Sequence, residues 1–288
     1  MPTSPYGALL DAVRGVRWPA ARRVMGATLG AHPSQLRGNS SEFSEFRTYR
    51  QGDDPRRVDW RLLARSDRAY VRLTTDRATF TTSMIVDASG SMAFPLPGLD
   101  KWKLARELAV GLASVAHAEA DPVGLAIAGA GHSVLMPRAR RSVLVEMTRA
   151  LDATTPAGTT PLAPFVTSVR ATRLVVITDL LGDFGEMLSA ARLRAASRTE
   201  VIVVHIVATE ELEPPDAALL AVDSEVPTLR RILDNDRRAE YRGAFARWLD
   251  DAATTVRAAG VRYVRAHTTE AAPHLVRRIA GETARRDA

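Results

Sequence analysis

Apolar residues follow two rhythms along this chain. Short unbroken runs occur at Met84–Val86, Val123–Ala128, Arg173–Asp179, Val201–Val207 and Val261–Ala266. They are too short for helices and rich in β-branched residues, so they read as strands, of which Met84–Val86 has the look of one buried on both faces. Between them, apolar residues recur three and four apart. That spacing predicts amphipathic helices over Lys101–Glu119, Arg138–Leu151, Glu186–Ser197, Arg237–Ala259 and Ala271–Ala280. In the first of these, Leu104, Leu108, Leu112 and Val115 share a face. In the fourth, Tyr241, Phe245, Trp248, Leu249 and Val256 do. Ser133–Met136 reads as a further strand across a Gly-rich turn, and Leu219–Asp223 as a short edge strand. Alternating strands and helices predict an α/β fold with a doubly wound, mostly parallel sheet and right-handed crossovers.

The first 80 residues lack this alternation. Residues 6–30 read as one or two helices, the second opened by Pro19. Gly30-Ala31-His32-Pro33-Ser34 breaks the pattern, and residues 31–41 are polar and turn-rich. Tyr70–Thr74 alternates like a strand. The expected organisation is an extension over residues 1–80 and an α/β domain over residues 81–288.

Composition narrows the function classes. A chain of 288 residues, 46% hydrophobic and 25% charged, is ordinary for a folded protein. It contains no cysteine, which removes disulfides, thiolate metal sites and a cysteine nucleophile. No run approaches the roughly 18 apolar residues of a membrane span, and the N-terminus lacks a signal-peptide pattern. A cytoplasmic protein is expected. The net charge is +6. Residues 1–80 hold 14 basic and 8 acidic residues, whereas residues 81–288 hold 25 of each. The N-terminal excess is interspersed with carboxylates and forms no stripe, so nucleic-acid binding is not expected.

Three places carry candidate chemistry. Asp87-Ala88-Ser89-Gly90-Ser91 follows the first buried strand, where open α/β sheets bind ligands. One carboxylate and two hydroxyls make an all-oxygen set suited to Mg2+ or Mn2+. The same residues also suit a plain polar turn. The strand Arg173–Asp179 likewise ends in Asp. Between the two lies the threonine-rich loop Thr154–Leu162, whose threonines also suit helix capping. Gly182-Asp183 reads as a turn, and His205, alone in an apolar strand, as a core residue. Upstream, Arg47, Tyr49, Asp53, Asp54, Arg56, Arg57, Asp59, Trp60 and Arg65 interleave cations, carboxylates and aromatics. They suit an Arg–carboxylate network that fastens this segment in place, or a partner-docking surface.

The stretch Ser41–Arg65 resembles the signature of bacterial domain-of-unknown-function family 58. That signature runs Glu-Phe-x-x-Leu-Arg-x-Tyr-x-x-Gly-Asp-Asp-x-Arg-x-Ile-Asp-Trp, with Ala-Arg shortly after. Here Phe46 stands for the leucine and Val58 for the isoleucine. The resemblance implies a von Willebrand factor A-like (Rossmann-like) domain with a metal-ion-dependent adhesion site behind a family-specific N-terminal extension. It implies Asp87, Ser89, Ser91, Thr160 and Asp179 as ligands of Mg2+ or Mn2+, with the doubled Thr159-Thr160 leaving the threonine open by one residue. It also implies a non-enzymatic interaction module whose partner presents a Glu or Asp, with a MoxR-type AAA+ ATPase as the expected partner. The alternative is a Mg2+-dependent hydrolase or phosphatase using Asp87 and Asp179. A haloacid-dehalogenase-like enzyme would need a second carboxylate two residues beyond Asp87, where this chain has Ser89.

Overall fold

The computed structural model describes residues 5–19, 29–33, 43–51, 53, 55–66, 68–74, 77–78, 80–96, 98–214, 220–222, 230–232 and 235–281. The elements in chain order begin with α1 (Gly7–Ala12), β1 (Leu29–Pro33), β2 (Phe43–Thr48), α2 (Trp60–Ser66), β3 (Tyr70–Thr74) and β4 (Arg77–Ala78). Then come β5 (Thr82–Asp87), α3 (Asp100–Ala118), β6 (Val123–Ala128), β7 (Ser133–Arg138), α4 (Val143–Asp152), α5 (Ala163–Ser168) and β8 (Arg173–Thr178). The last are α6 (Phe184–Ala196), β9 (Glu200–Val207), α7 (Thr209–Leu212), β10 (Leu220–Val222), β11 (Arg230–Ile232), α8 (Asn235–Ala258), β12 (Arg262–His267) and α9 (Ala272–Gly281). They fall into two compact units, one of residues 1–18 and 81–288, the other of residues 19–80.

The first unit is built on a six-stranded sheet of order β12-β9-β8-β5-β6-β7. All neighbours run parallel except β7, which pairs antiparallel with β6. Side chains alternate between the two faces. Met84, Val86, Val175, Ile177, Ile202 and Val204 join the core with α1, α3, α4 and α9. Ile85, Leu174, Val176, Val201 and Val203 join the core with α5, α6 and α8. Such two-sided burial is why these strands read as continuous apolar runs. Numbered within the sheet alone, the order is the 3-2-1-4-5-6 of doubly wound folds, and the order reverses between β5 and β8.

The N-terminal residues belong to this unit, not with residues 19–80, because Leu9 and Val13 pack into its core and Arg173 captures Trp18. Its guanidinium lies 4.3 Å from the Trp18 ring centre. Its Nη2 donates to the Trp18 carbonyl at 3.1 Å and its Nε to Glu200 Oε2 at 3.0 Å. Trp18 and Arg173 are both wholly buried. The chain re-enters at Thr81, whose carbonyl accepts the N–H groups of Thr172 and Arg173 at 2.9 and 3.0 Å.

The second unit holds the antiparallel pairs β2–β3 and β1–β4. Gly30–Pro33 therefore lies in a strand where a break was expected, since backbone pairing with β4 overrides local turn preference. The helix expected to open at Pro19 lies outside the described residues. Two other expectations need correction. The short strand expected over Leu219–Asp223 forms at Leu220–Val222, but among the described residues it pairs with β11 in a separate two-stranded sheet and not with the six-stranded one. The helix expected from Arg138 starts at Val143, because Arg138 pairs with Val123 at the end of β7.

Candidate metal centre

β5 and β8 end side by side at the reversal of strand order, so Asp87 and Asp179 meet at one edge. Asp87 is buried, and each of its oxygens is engaged. Oδ1 accepts the Ser89 backbone N–H at 2.9 Å, and Oδ2 accepts the Thr178 hydroxyl at 2.7 Å. The first bond closes an Asx turn, which sends the chain sharply off the strand. A 3-10 turn over Gly90–Ala93 then brings Ser91 back beside Ser89, with their hydroxyl oxygens 3.1 Å apart. Burial, and next the charge of Asp179, push the Asp87 carboxyl up to about 6.

The threonine-rich loop is clamped to this turn by its backbone. Ala157 N–H donates to the Ala88 carbonyl at 3.0 Å, and Gly90 N–H to the Gly158 carbonyl at 2.8 Å. Gly158 holds a left-handed φ of 69°, which favours glycine. Gly129 is needed for proximity: a Cβ there would lie 2.9 Å from that of Ala88. The loop thus fixes Gly158, the residue before Thr159 and Thr160, against Gly90. Of the two threonines, Thr160 is the less exposed.

Asp179 is held more tightly than its place in the sequence foretells. Its Oδ1 accepts Leu181 N–H at 3.2 Å, and its Oδ2 accepts Lys101 Nζ at 2.9 Å. Leu180 between them adopts a left-handed φ of 60°, a strained conformation for a leucine. Lys101, second residue of α3, is completely buried and also pairs with Glu211 of α7, just beyond β9. Glu211 is fixed by the Ala208 N–H, which reaches its Oε2 at 2.8 Å. The Phe94 ring centre is 5.6 Å from Lys101 Nζ. Burial pulls the Lys101 ammonium down in pKa, and the charges of Asp179 and Glu211 more than restore it.

Lys101, Thr178 and Glu211 were not among the residues singled out by sequence. One signal pointed to the first: of 39 basic residues only Lys101 and Lys103 are lysines. His205 is a core residue as expected. Its Nδ1 meets the Tyr263 hydroxyl at 2.7 Å, and burial pushes its pKa down to about 3. Asp183 does more than shape a turn, because it accepts the N–H groups of Leu162 and Ala163 at 3.1 and 3.4 Å. That anchors the entrance of α5 to the segment after β8.

In the signature segment, Arg47 Nη2 bonds both oxygens of Asp53 at 2.7 and 2.9 Å. Asp53 Oδ2 also accepts Arg50 N–H at 2.8 Å. Asp59 caps α2 through the N–H groups of Arg61 and Leu62 at 3.0 and 2.9 Å. Tyr49 N–H donates to the Ala69 carbonyl at 2.8 Å. Arg56, Trp60 and Arg65 are exposed. Asp54 and the Arg57 side chain lie outside the described residues. Asp53 and Asp59 thus spend their oxygens on a turn and a helix start, in addition to the Arg47 pair.

A doubly wound sheet with one antiparallel edge, and an Asp-x-Ser-x-Ser turn at its switch point, defines a von Willebrand factor A-like domain. The chain belongs to the family described as "Protein of unknown function DUF58", whose model matches residues 45–255. It is 29% identical over 264 residues to uncharacterized proteins of Mycobacterium bovis and Mycobacterium tuberculosis, Mb1516 and Rv1480. The match covers 88% of this chain and 82% of each relative. Among solved structures, BatB from Bacteroides thetaiotaomicron aligns with a TM-score of 0.45 at 17% identity, over 71% of this chain and 98% of its own. The SpRpn10 VWA domain aligns with a TM-score of 0.37 at 10% identity, over 69% and 94%. No helix among the described residues is long and apolar enough to cross a membrane.

Proposed function

We propose that this protein is a metal-dependent protein-interaction module. The observation that carries the reading is the meeting of Asp87 and Asp179 at the switch point, with the Ser89 and Ser91 hydroxyls turned together beside them. The donors are all oxygen, the preference of Mg2+ or Mn2+. The charge of Asp179 lies close enough to raise the proton affinity of Asp87, and a cation there would relieve that repulsion. Asp87, Ser89, Ser91 and Thr160 would hold the ion, with Asp179 contributing alongside Lys101. When bound, the ion supplies positive charge that attracts a carboxylate from a partner. Phe94, Leu96 and Leu181 are exposed on the loops after β5 and β8. Their apolar surface at this same edge is of the kind that protein partners cover.

The partner is an acidic surface, and the family resemblance directs the test to a MoxR-type AAA+ ATPase. Hydrolysis is the less supported reading. Ser89 occupies the position where an acid–base carboxylate would be needed, and Asp183 is tied to the start of α5. The test is a titration of the ATPase with wild-type and Asp87→Ala protein, each with Mg2+ and with EDTA. Binding is expected only for wild type with metal. Four equal affinities would refute the bridge and move attention to the signature segment.

A further inference from the structure

Lys101 is the one fully buried ammonium among the described residues, and it points at a residue expected to bind metal. Burying an ammonium is costly unless carboxylates meet it, and here two do. A guanidinium would not serve equally, since it is planar and bulky, whereas an ammonium is a compact point charge with three donors. The chain uses lysine here while using arginine at all but two of its basic positions. The Phe94 ring flanks the ammonium, which pairs with Asp179 at the site and with Glu211 of α7.

The charge count has a direct effect on metal binding. Asp87 and Asp179 supply two negative charges, and Lys101 already claims one of them through Asp179 Oδ2. Glu211 is a second acceptor for the same ammonium, outside the expected ligand set. Resting on the metal-dependent reading above, we propose that Lys101 is a resident cation that competes with the divalent ion for Asp179, and that Glu211 is its alternative anchor. Without metal, Lys101 bridges Asp179 and Glu211. With metal, Lys101 retires onto Glu211 and Asp179 turns to the ion. Lys101 thereby keeps metal affinity low, and Glu211 sets how readily Asp179 is released. Both act as positioning residues.

The test uses the full chain and Mn2+, with affinity read by electron paramagnetic resonance of the free ion. Lys101→Gln is expected to bind Mn2+ at least tenfold more tightly than wild type. Glu211→Gln is expected to bind at least tenfold more weakly, because Asp179 is then the only carboxylate left for the ammonium. Opposite signs are the discriminating result, since a merely structural role would weaken binding in both. A third readout needs no variant. Selective 15N labelling of lysine gives two side-chain nitrogens, Lys101 and Lys103. Mg2+ should shift the Lys101 signal, leave that of exposed Lys103 in place, and lose its effect on addition of EDTA. Equal or weaker binding by folded Lys101→Gln, or an unmoved Lys101 signal in wild type that binds Mg2+ in an Asp87-dependent way, overturns the inference alone. If neither wild type nor Lys101→Gln binds Mn2+ through Asp87, the metal-dependent reading fails and takes this one with it.

Discussion

Replacing Asp87 by Asn should stabilise the metal-free protein while abolishing its response to metal. In the folded chain the Asp87 carboxyl titrates at about 6, raised from 3.8 by burial and by Asp179. The folded state therefore holds a proton that the unfolded state has already released. Stability is greatest below about pH 4 for this group and falls as pH rises towards 6. The full difference corresponds to up to about 3 kcal/mol. Asn matches Asp in shape and carries no charge. Its oxygen can accept the Ser89 N–H, while its amide donates to the Thr178 hydroxyl, which must turn away from its present bond. Re-pairing one hydroxyl costs about 1 kcal/mol, leaving a net gain of about 2 kcal/mol. For a domain of this size that raises Tm by about 4–8 °C. The assay is thermal melting of both proteins in EDTA from pH 4 to 8. The gap between them should be near zero at pH 4, open by pH 6 and stay constant above. Mg2+ at ten times its Kd should then add about 1.4 kcal/mol to wild type and nothing to the variant. An Asn variant that melts below wild type in EDTA at pH 7.5, or a gap that ignores pH, would refute the reasoning.

Further predictions concern the supports of the site. His205 titrates at about 3 in the fold against 6.5 when free, so its folded form refuses a proton that the unfolded chain accepts. Its contribution is complete above about pH 6.5 and is lost as pH falls, by up to about 5 kcal/mol at pH 3. His205→Leu should flatten that acid limb in urea titrations at several pH values, with a constant offset from the Tyr263 hydroxyl it leaves behind; an unchanged slope would count against a buried neutral imidazole. Arg173→Met strips Glu200 of an ion-pair partner and the Trp18 carbonyl of a donor, for a loss of roughly 3 kcal/mol. The same variant should become open to trypsin at Arg14 and Arg17, which mass spectrometry would detect; resistance equal to wild type would mean that another contact holds residues 5–18.

The sheet could be read from sequence because all of its parallel strands except β12 are close to fully buried, and continuous apolar runs leave little choice of structure. Asp87, Ser89 and Ser91 were legible for a similar reason, since a turn after a buried strand puts its polar residues at the sheet edge whatever the rest does. Lys101 and Glu211 were not. Lys101 sits 78 residues from Asp179 along the chain, and on a helix its charge reads as one more solvated side chain. Only the crossing of α3 over the switch point turns it inward. The same limit hid the capture of Trp18, because a cation–π contact between residues 155 apart leaves no local pattern. β10 misled for the opposite reason: the short apolar run within Leu219–Asp223 states a preference for strand but not the sheet it joins.

The manner in which the chain leaves and returns to the sheet has one more implication. Trp18 and Thr81 are both bonded to the Thr172–Arg173 start of β8. The strands that carry Asp87 and Asp179 begin at that end and finish at the other. Residues 19–80 are therefore an insertion whose two attachment points share one anchor. For an insertion with adjacent ends, lengthening the segment adds only a slowly growing entropy of closure, about 0.6 kcal/mol for each doubling. Evolution could enlarge, shorten or exchange this segment without moving a strand of the sheet. The signature by which the family is recognised and the edge by which the domain would engage a partner thus occupy separately heritable parts of one chain.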